Sequence, residues 1–393
     1  MPVNLFSRKR DAVASFDVVD KNQLYPFKPT SGDGRMNLAD LIGSDETNQI
    51  VASGSIEFVA TGDTGKGVDT EQSRVVEAMA HEFLPDTPAG GATFFMHLGD
   101  IIYGPDKQTH YSNKFYRPNM PWLRPAPGIA GLILGIPGNH DGEERTSKED
   151  HPSLNAFLAN FCAPKPEVAK SFNVTMPNQP GPYWWLSAPF LDLIGLYSNA
   201  AEDFGALGAD DRDDKQVKWL VATLKKIASE RAAGSRKALV FATHHPPYNQ
   251  GLMEGAGGHP GSPKMLAAID SACTEAGVWP DMFISGHSHN YQRYTRTKTI
   301  DGVEREIPYL IAGTGGIGSQ PAPPHVGNMQ DNVRYDAGLG SGGTGATVYG
   351  YLRMHASPTV VQATFVQTAA GHRDDFETIA VSLTTGKRST PEF

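Results

Sequence analysis

Five short polar clusters carry the residues whose types and spacing suit metal chemistry: Gly62-Asp63-Thr64-Gly65, Gly99-Asp100-Ile101-Ile102-Tyr103, Gly138-Asn139-His140-Asp141, His244-His245-Pro246-Pro247 and Gly286-His287-Ser288-His289. They supply hard oxygen and imidazole groups and no thiolate, a set that favours Fe, Mn, Zn and similar ions. Glycine precedes Asp63, Asp100, Asn139 and His287, where it lets the chain turn sharply so that a short side chain reaches inward. His287 and His289 lie two apart, and in extended backbone both point to one side. A single Gly-Asp after a strand is commonly a plain turn, and a lone His-His commonly a surface feature. Five such clusters in one chain point to a common centre.

The elements that must position these clusters are legible around them. Apolar runs at 56–60, 92–98, 131–136, 237–243 and 282–285 have strand length and β-branched or aromatic content, and each is followed at once by a polar cluster. A helix is expected over 71–83. Another starts near Asp213, with Gln216 in a capping-box-like position, Val217, Leu220, Val221, Leu224 and Ile227 on one face, and Gly234 at its end. Ser262-Pro263 opens a third, with Ser262 as cap, running to about Ala276. Strand, polar loop and helix in repetition mean a sheet covered by helices, with ligands gathered at the carboxyl ends of strands. Strand-like segments at 183–188, 191–197, 309–312, 347–355, 360–367 and 378–382 predict a second mixed sheet packed on the first. The expected fold is α/β: a four-layer αββα sandwich of two mixed β-sheets flanked by helices, with the metal site at strand C-terminal ends. Residues 1–50, polar and turn-rich, are expected to be an N-terminal extension, and 51–393 a single catalytic domain. The Gly-x-Gly-x-x-Gly within 338–345 precedes a strand rather than a helix, so it reads as a loop flanking the site rather than a dinucleotide fingerprint.

Bulk composition narrows the function further. Thirty-nine per cent hydrophobic and 20% charged residues in a 393-residue chain suit a packed core. Lys+Arg 34 against Asp+Glu 43, a net charge of −9, argues against a general nucleic-acid binder. An anionic substrate is still compatible, because bound cations invert the local field. Cys162 and Cys273 make no disulfide framework. No apolar run reaches signal-peptide length near the start, and none reaches the roughly 18 residues of a membrane span. A cytoplasmic protein without membrane or nucleic-acid partners is expected, or a secreted one if a leader has been trimmed; only then would the Asn-x-Thr at Asn173 matter. Oligomeric state is not set by the sequence.

The order Gly-Asp-x-Gly, Gly-Asp-x-x-Tyr, Gly-Asn-His-Asp, His-His-Pro-Pro-Tyr and Gly-His-x-His resembles the calcineurin-like metallophosphoesterase superfamily over about residues 55–355. Gln216-x-x-Trp219-Leu220, Gly313-Thr314-Gly315-Gly316 and the run from Gly286 to Arg293 fit the same pattern. Within the superfamily the chain looks like the purple acid phosphatase branch. Most members place a metal-binding His where this chain has Gly65, whereas that branch supplies a tyrosine at the place of Tyr103. The resemblance implies that Asp63, Tyr103 and His289 hold a first metal, that Asn139, His244 and His287 hold a second, and that Asp100 bridges. It implies Fe(III) paired with Fe, Zn or Mn(II), and attack of a metal-bound hydroxide on the phosphorus of a small-molecule phosphate ester, most readily a phosphomonoester.

His140 would then assist the leaving group, with Asp141 orienting it. His245 reads equally as a substrate contact or as packing beside a ligand. Plant members carry a His pair shortly before Met-Glu-Gly; this chain keeps Met253-Glu254-Gly255 but has Gln250-Gly251 where the pair would fall, and His259 is the expected substitute. Their separate β domain would not fit in the roughly 50 residues before the first motif. The segment with Tyr111, Phe115, Tyr116, Arg117 and Trp122 reads either as a pocket wall, with Arg117 meeting phosphate, or as a packed surface loop. Two rival functions stand beside the phosphomonoesterase: a phosphodiesterase or phosphotriesterase on the same metals, and a non-catalytic scaffold that binds a phosphorylated ligand.

Overall fold

The strands that end in the polar clusters alternate their apolar side chains between two faces, and that alternation builds the layers. The computed structural model describes residues 29–83, 91–104, 107–125, 130–142, 154–199, 205–208, 215–250, 259–322, 327–330, 332–341, 347–369 and 372–391. In chain order its strands are β1 (Arg35–Asn37), β2 (Ile56–Thr61), β3 (Phe94–His97), β4 (Leu132–Gly135), β5 (Trp184–Ala188), β6 (Leu191–Gly195), β7 (Ala238–Thr243), β8 (Met282–Ser285), β9 (Tyr291–Ile300), β10 (Val303–Ala312), β11 (Gly327–Gln330), β12 (Val333–Leu339), β13 (Tyr349–Ala356), β14 (Val360–Ala369) and β15 (His372–Ser382). They form two sheets among the described residues, ordered β1-β5-β6-β7-β8-β10-β9-β12-β11 and β15-β14-β13-β2-β3-β4. Both are mixed: β2, β3 and β4 run parallel, as do β6, β7 and β8, while β13, β14 and β15 are antiparallel.

Phe58, Phe94, Met96 and Leu134 of one sheet meet Leu193, Val240, Ile284 and Leu310 of the other in one buried cluster. Their chain neighbours point the opposite way. Val59, Phe95 and Ile133 pack under Val75, Val76 and Met79 of the helix Glu71–Phe83. On the far side Ile194, Leu239, Phe241 and Phe283 pack under Leu220, Leu224 and Ile227 of the helix Lys215–Ala232, and under Met265 and Ile269 of the helix Pro263–Ala276. Helix, sheet, sheet, helix is the expected four-layer order. Phe58 is 1% exposed and stacks on Phe94, with ring centroids 4.7 Å apart. Phe58→Ala is expected to lower stability by about 3–5 kcal/mol, read as a lower urea midpoint with unchanged slope; a smaller shift would mean that the sheets close over the cavity.

Several local expectations differ from what forms. The second-half segments do not make a sheet of their own. β13, β14 and β15 complete the sheet of β2–β4, while β7 and β8 belong with β5, β6 and β10. The start of the second helix near Asp213 lies outside the described residues. Gln216 does not act as a capping-box partner: its amide is buried, accepting from the Tyr197 N–H and donating to the Tyr197 and Leu207 carbonyls. Ser262 sits at the cap position before Pro263 but makes no side-chain cap bond.

β9 and β10 form a long hairpin through Asp301-Gly302, at φ 50° and 77°, the Asp-Gly pair that two-residue turns favour. Of the glycine-rich stretch within 338–345, Gly338 and Leu339 end β12, and residues 342–346 lie outside the described ones. β1 pairs parallel to β5, and a helix runs through Ser44–Ser53, across the expected boundary at 50. Arg35 lies 4.2 Å over the Trp185 ring and bonds Glu230 and Ser187. Among the described residues no helix is long and apolar enough to cross a membrane.

Candidate metal centre

The loops that follow β2, β3, β4, β7 and β8 meet at one end of the sandwich. Backbone bonds zip the first two together, Asp63 N–H to the Gly99 carbonyl at 3.0 Å and Thr64 N–H to the Asp100 carbonyl at 3.1 Å. Asp63, Asp100 and His287 take positive φ, at 61°, 53° and 70°, a region sparsely populated outside glycine and enriched at functional sites. The extended backbone expected between His287 and His289 is therefore absent. The left-handed turn at His287 lets its N–H donate to Asp63 Oδ2 at 2.8 Å. Two glycines are required by close approach. A Cβ on Gly138 would lie 2.2 Å from Asp100 Oδ1, and one on Gly65 would lie 2.8 Å from Tyr103 Cδ2.

All seven expected ligands converge, in two groups that share Asp100. Tyr103 Oη lies 2.9 Å from Asp100 Oδ2 and 3.3 Å from both Asp63 Oδ1 and His289 Nε2. On the other side His244 Nε2 lies 3.3 Å from Asp100 Oδ1, and Asn139 Oδ1 is 3.0 Å from both His244 Nε2 and His287 Nδ1. Asp63, Asp100 and His244 are buried, and one ligand atom from each lies within 4.8 Å of the others, close enough to hold a metal ion. Among the described residues neither carboxylate pairs with Lys or Arg; their partners are His289 and His244. Buried carboxylates without fixed cations call for a bound one. His244 is also oriented for ligation: its Nδ1 lies 2.9 Å from the Leu98 carbonyl, which can only accept, so Nδ1 carries the hydrogen and Nε2 faces the centre.

Charge among the protein groups of the centre follows from this crowding. Burial works to raise the Asp100 carboxyl, but the His244 and His140 imidazoles prevail and hold it below the usual range. Burial works to lower His244, but the Asp100 carboxylate prevails and lifts it to about 9. Burial and then the Asp100 and Asp63 carboxylates push the Tyr103 phenol well above its ordinary value. Burial, followed by neighbouring imidazoles, drives His287 well below its ordinary value. At neutral pH a cation must therefore displace a proton from His244, and another from Tyr103 if the phenol ligates.

Metal uptake is accordingly expected to release protons and to tighten as pH rises towards about 9. Titration calorimetry with Mn(II) or Zn(II) in buffers of differing ionisation enthalpy reads this directly, and uptake without proton release would contradict it. The sign for stability is opposite. The raised His244 stabilises the fold fully below the ordinary histidine value of 6.5, and that contribution is lost as pH climbs through about 9.

The other expected site residues are placed unequally. His140 is half-buried, its N–H donates to Asp100 Oδ1 at 2.8 Å, and its ring centroid is 4.4 Å from that of Tyr103. Asp141 accepts backbone N–H bonds from Ile101, Ile102 and Gly138, and so ties the loops carrying Asp100 and Asn139. Burial and the Asp100 charge push Asp141 up to about 7, against the pull of those N–H groups. The rings of His245 and His259 lie 4.3 Å and 4.0 Å from that of His287; Met253-Glu254-Gly255 falls outside the described residues.

Arg117 is exposed, and among the described residues nothing bonds its side chain to the centre. Tyr111, Phe115, Tyr116 and Trp122 are not a pocket wall but part of the core beneath the outer helices. That segment braces the centre differently, because Lys114 Nζ donates to the Tyr103 carbonyl at 2.9 Å.

Two supports carried no motif. His97, fully buried at the end of β3, bonds Thr64 Oγ1 through Nε2 and accepts the Gly99 N–H at Nδ1. Burial lowers it to about 3, so it acts as a neutral strut. Gln72 accepts from the Lys66 and Gly67 N–H groups and donates to the Lys114 carbonyl.

Two mixed sheets packed face to face, with carboxylates and imidazoles at their strand ends close enough to hold a metal ion, define the class as a candidate metal-site protein. The family model for calcineurin-like phosphoesterases matches residues 56–291, and the chain belongs to that family. No curated protein matches it. Among solved structures it is similar in fold to GAP50, described as the anchor in the inner membrane complex of Plasmodium, at 15% identity and TM-score 0.51 over 82% of this chain and 87% of that one. PhoD matches at 13% identity and TM-score 0.47, over 86% of this chain and 72% of that one.

Proposed function

We propose that this chain hydrolyses phosphate esters, phosphomonoesters foremost, at a two-metal centre of the purple acid phosphatase type. The observation that carries this reading is the position of Asp100, whose Oδ2 faces Tyr103 at 2.9 Å and whose Oδ1 faces His244 at 3.3 Å. One carboxylate between two donor groups is what a bridging ligand requires. In this reading Asp63, Tyr103 and His289 hold one ion, and Asn139, His244 and His287 the other. The tyrosine-bearing branch is supported by Gly65, since the Tyr103 ring fills the space that a side chain at 65 would need. A tyrosinate is a hard anion that suits Fe(III), with Fe, Zn or Mn(II) beside it.

When bound, the two ions supply an acidified water and neutralise the phosphate charge. The chain's own groups do the rest. His140, tied through its N–H to Asp100, donates to the leaving oxygen. Asp141 fixes the two loops that present Asp100 and Asn139, and His245 and His259 line the approach beside His287. Arg117 has no part in this reading. Residues 51–393 are taken as one catalytic domain, with β1 of the preceding extension completing its sheet.

A second reading, a phosphodiesterase or phosphotriesterase, is favoured by one observation: among the described residues no Lys or Arg bonds the ligand side chains, whereas a doubly charged monoester gains from fixed cations. Turnover of p-nitrophenyl phosphate and of its bis ester by metal-loaded protein separates the two. A kcat/KM at least about tenfold higher on the monoester, about 1.4 kcal/mol of transition-state preference, is expected. The reverse order makes the chain a diesterase, and no turnover of either ester with metal bound makes it a binding scaffold.

A further inference from the structure

His245 is pinned on every side but one. Its backbone N–H donates to Ser198 Oγ at 3.0 Å, its carbonyl accepts from Thr243 Oγ1 at 2.6 Å, and its Nδ1 lies 2.9 Å from the same Ser198 Oγ. Behind it comes Gly205, at φ 100°, so near that a Cβ there would lie 2.7 Å from His245 Cβ. The ring leans against His287 at 4.3 Å. Among the described residues Nε2 has no protein partner.

Hydrogen accounting decides which nitrogen carries the proton. Ser198 is fully buried, so its hydroxyl hydrogen needs an acceptor within the protein. Among the described residues its Oγ has two bonding neighbours, both on His245: the backbone N–H, which can only donate, and Nδ1. If Nδ1 held the hydrogen, the hydroxyl would accept twice and its own hydrogen would be stranded. The hydroxyl therefore donates to Nδ1, and the neutral ring carries its hydrogen on Nε2.

We propose that Ser198 is a positioning residue that sets His245 in the Nε2–H form, giving the centre an uncharged donor for a non-bridging oxygen of the bound phosphate. The identity of that acceptor rests on the phosphoesterase reading; the tautomer does not. The two residues stand 47 apart in sequence.

Nitrogen-15 NMR of histidine-labelled, metal-free protein tests the tautomer, with His245→Gln to assign the signals. A protonated Nε2 and a bare, hydrogen-bonded Nδ1 are expected in the native protein. Ser198→Ala should mix the two forms, and Ser198→Thr, which keeps the hydroxyl, should restore one. With metal loaded and orthophosphate as probe, Ser198→Ala should weaken binding about tenfold, the scale of one hydrogen bond to a charged group, and Ser198→Thr should recover it. An Nδ1–H form or an imidazolium in the native protein overturns the proposal, as does unchanged orthophosphate affinity in Ser198→Ala. If no ester is turned over while both the NMR and the orthophosphate results hold, the function reading fails and the role of Ser198 stands.

Discussion

Asp100→Asn is expected to leave the metal-loaded protein with no more than one ion per chain and to lower metal affinity at least about 100-fold. Loss of a hydrogen-bonded partner outside the coordination shell already costs 10–100-fold, and Asp100 faces both donor groups directly. Asparagine matches the shape of aspartate and can keep the His140 N–H bond at 2.8 Å through its carbonyl oxygen, so the fold should survive. What it removes is the charge between Tyr103 and His244. Metal content by mass spectrometry after gel filtration, with circular dichroism as the folding control, reads the result. Two ions retained at wild-type affinity would remove Asp100 from the bridging position. The substitution should also return His244 towards its ordinary range, since the Asp100 carboxylate is what lifts it to about 9.

Tyr103→Phe should have the next largest effect and is the more diagnostic. The ring's neighbours are retained, because Gly65 leaves room for it and His140 lies against it at 4.4 Å. Only the hydroxyl goes, with its contacts to Asp63, Asp100 and His289. If the wild-type protein contains about one iron and shows a violet band, the band should vanish in the variant while the fold is unchanged. A colourless wild-type protein holding two Mn or Zn ions, indifferent to the substitution, would take Tyr103 off the ligand set and favour the diesterase reading. The burden on the phenol comes from the protein itself, since burial and two carboxylates hold its proton firmly. A cation must supply what they oppose.

Much of the site could be read from the chain because its parts are local. A glycine, a short polar side chain and a preceding apolar run mark each loop, and the five loops do meet. The strands were legible for the same reason: alternation at Phe58-Val59-Ala60 or Phe94-Phe95-Met96 declares two buried faces. Alternation does not say which strands pair. β13 joins β2 although 292 residues separate the partners Leu352 and Ala60, and nothing local encodes that choice, so β13, β14 and β15 read as part of the second sheet although they complete the first.

Residues that work through one long-range hydrogen bond were equally silent. Gln216 in a helix's first turn looks like a cap, and only the fold brings the Tyr197 backbone within its reach. His97 ends an apolar strand and looks like core, and only the neighbouring Thr64 makes it a strut. The spacing of His287 and His289 suggests extended backbone because spacing alone gives no φ; the bond to Asp63 Oδ2 is what holds the turn.

Asp63, Asp100 and Asn139 leave the sheet of β2–β4, whereas His244 and His287 leave the sheet of β7 and β8. Each donor group therefore draws on both sheets, and protein bonds such as Gly62 N–H to the Ala312 carbonyl already cross between them. A bound ion would act as a rivet through both plates of the sandwich. Since the ion binds only when the plates are aligned, its occupancy adds to the cost of parting them, by about 4 kcal/mol at a free concentration one thousand times Kd. Metal supply would then govern how long the folded chain persists as well as how fast it works.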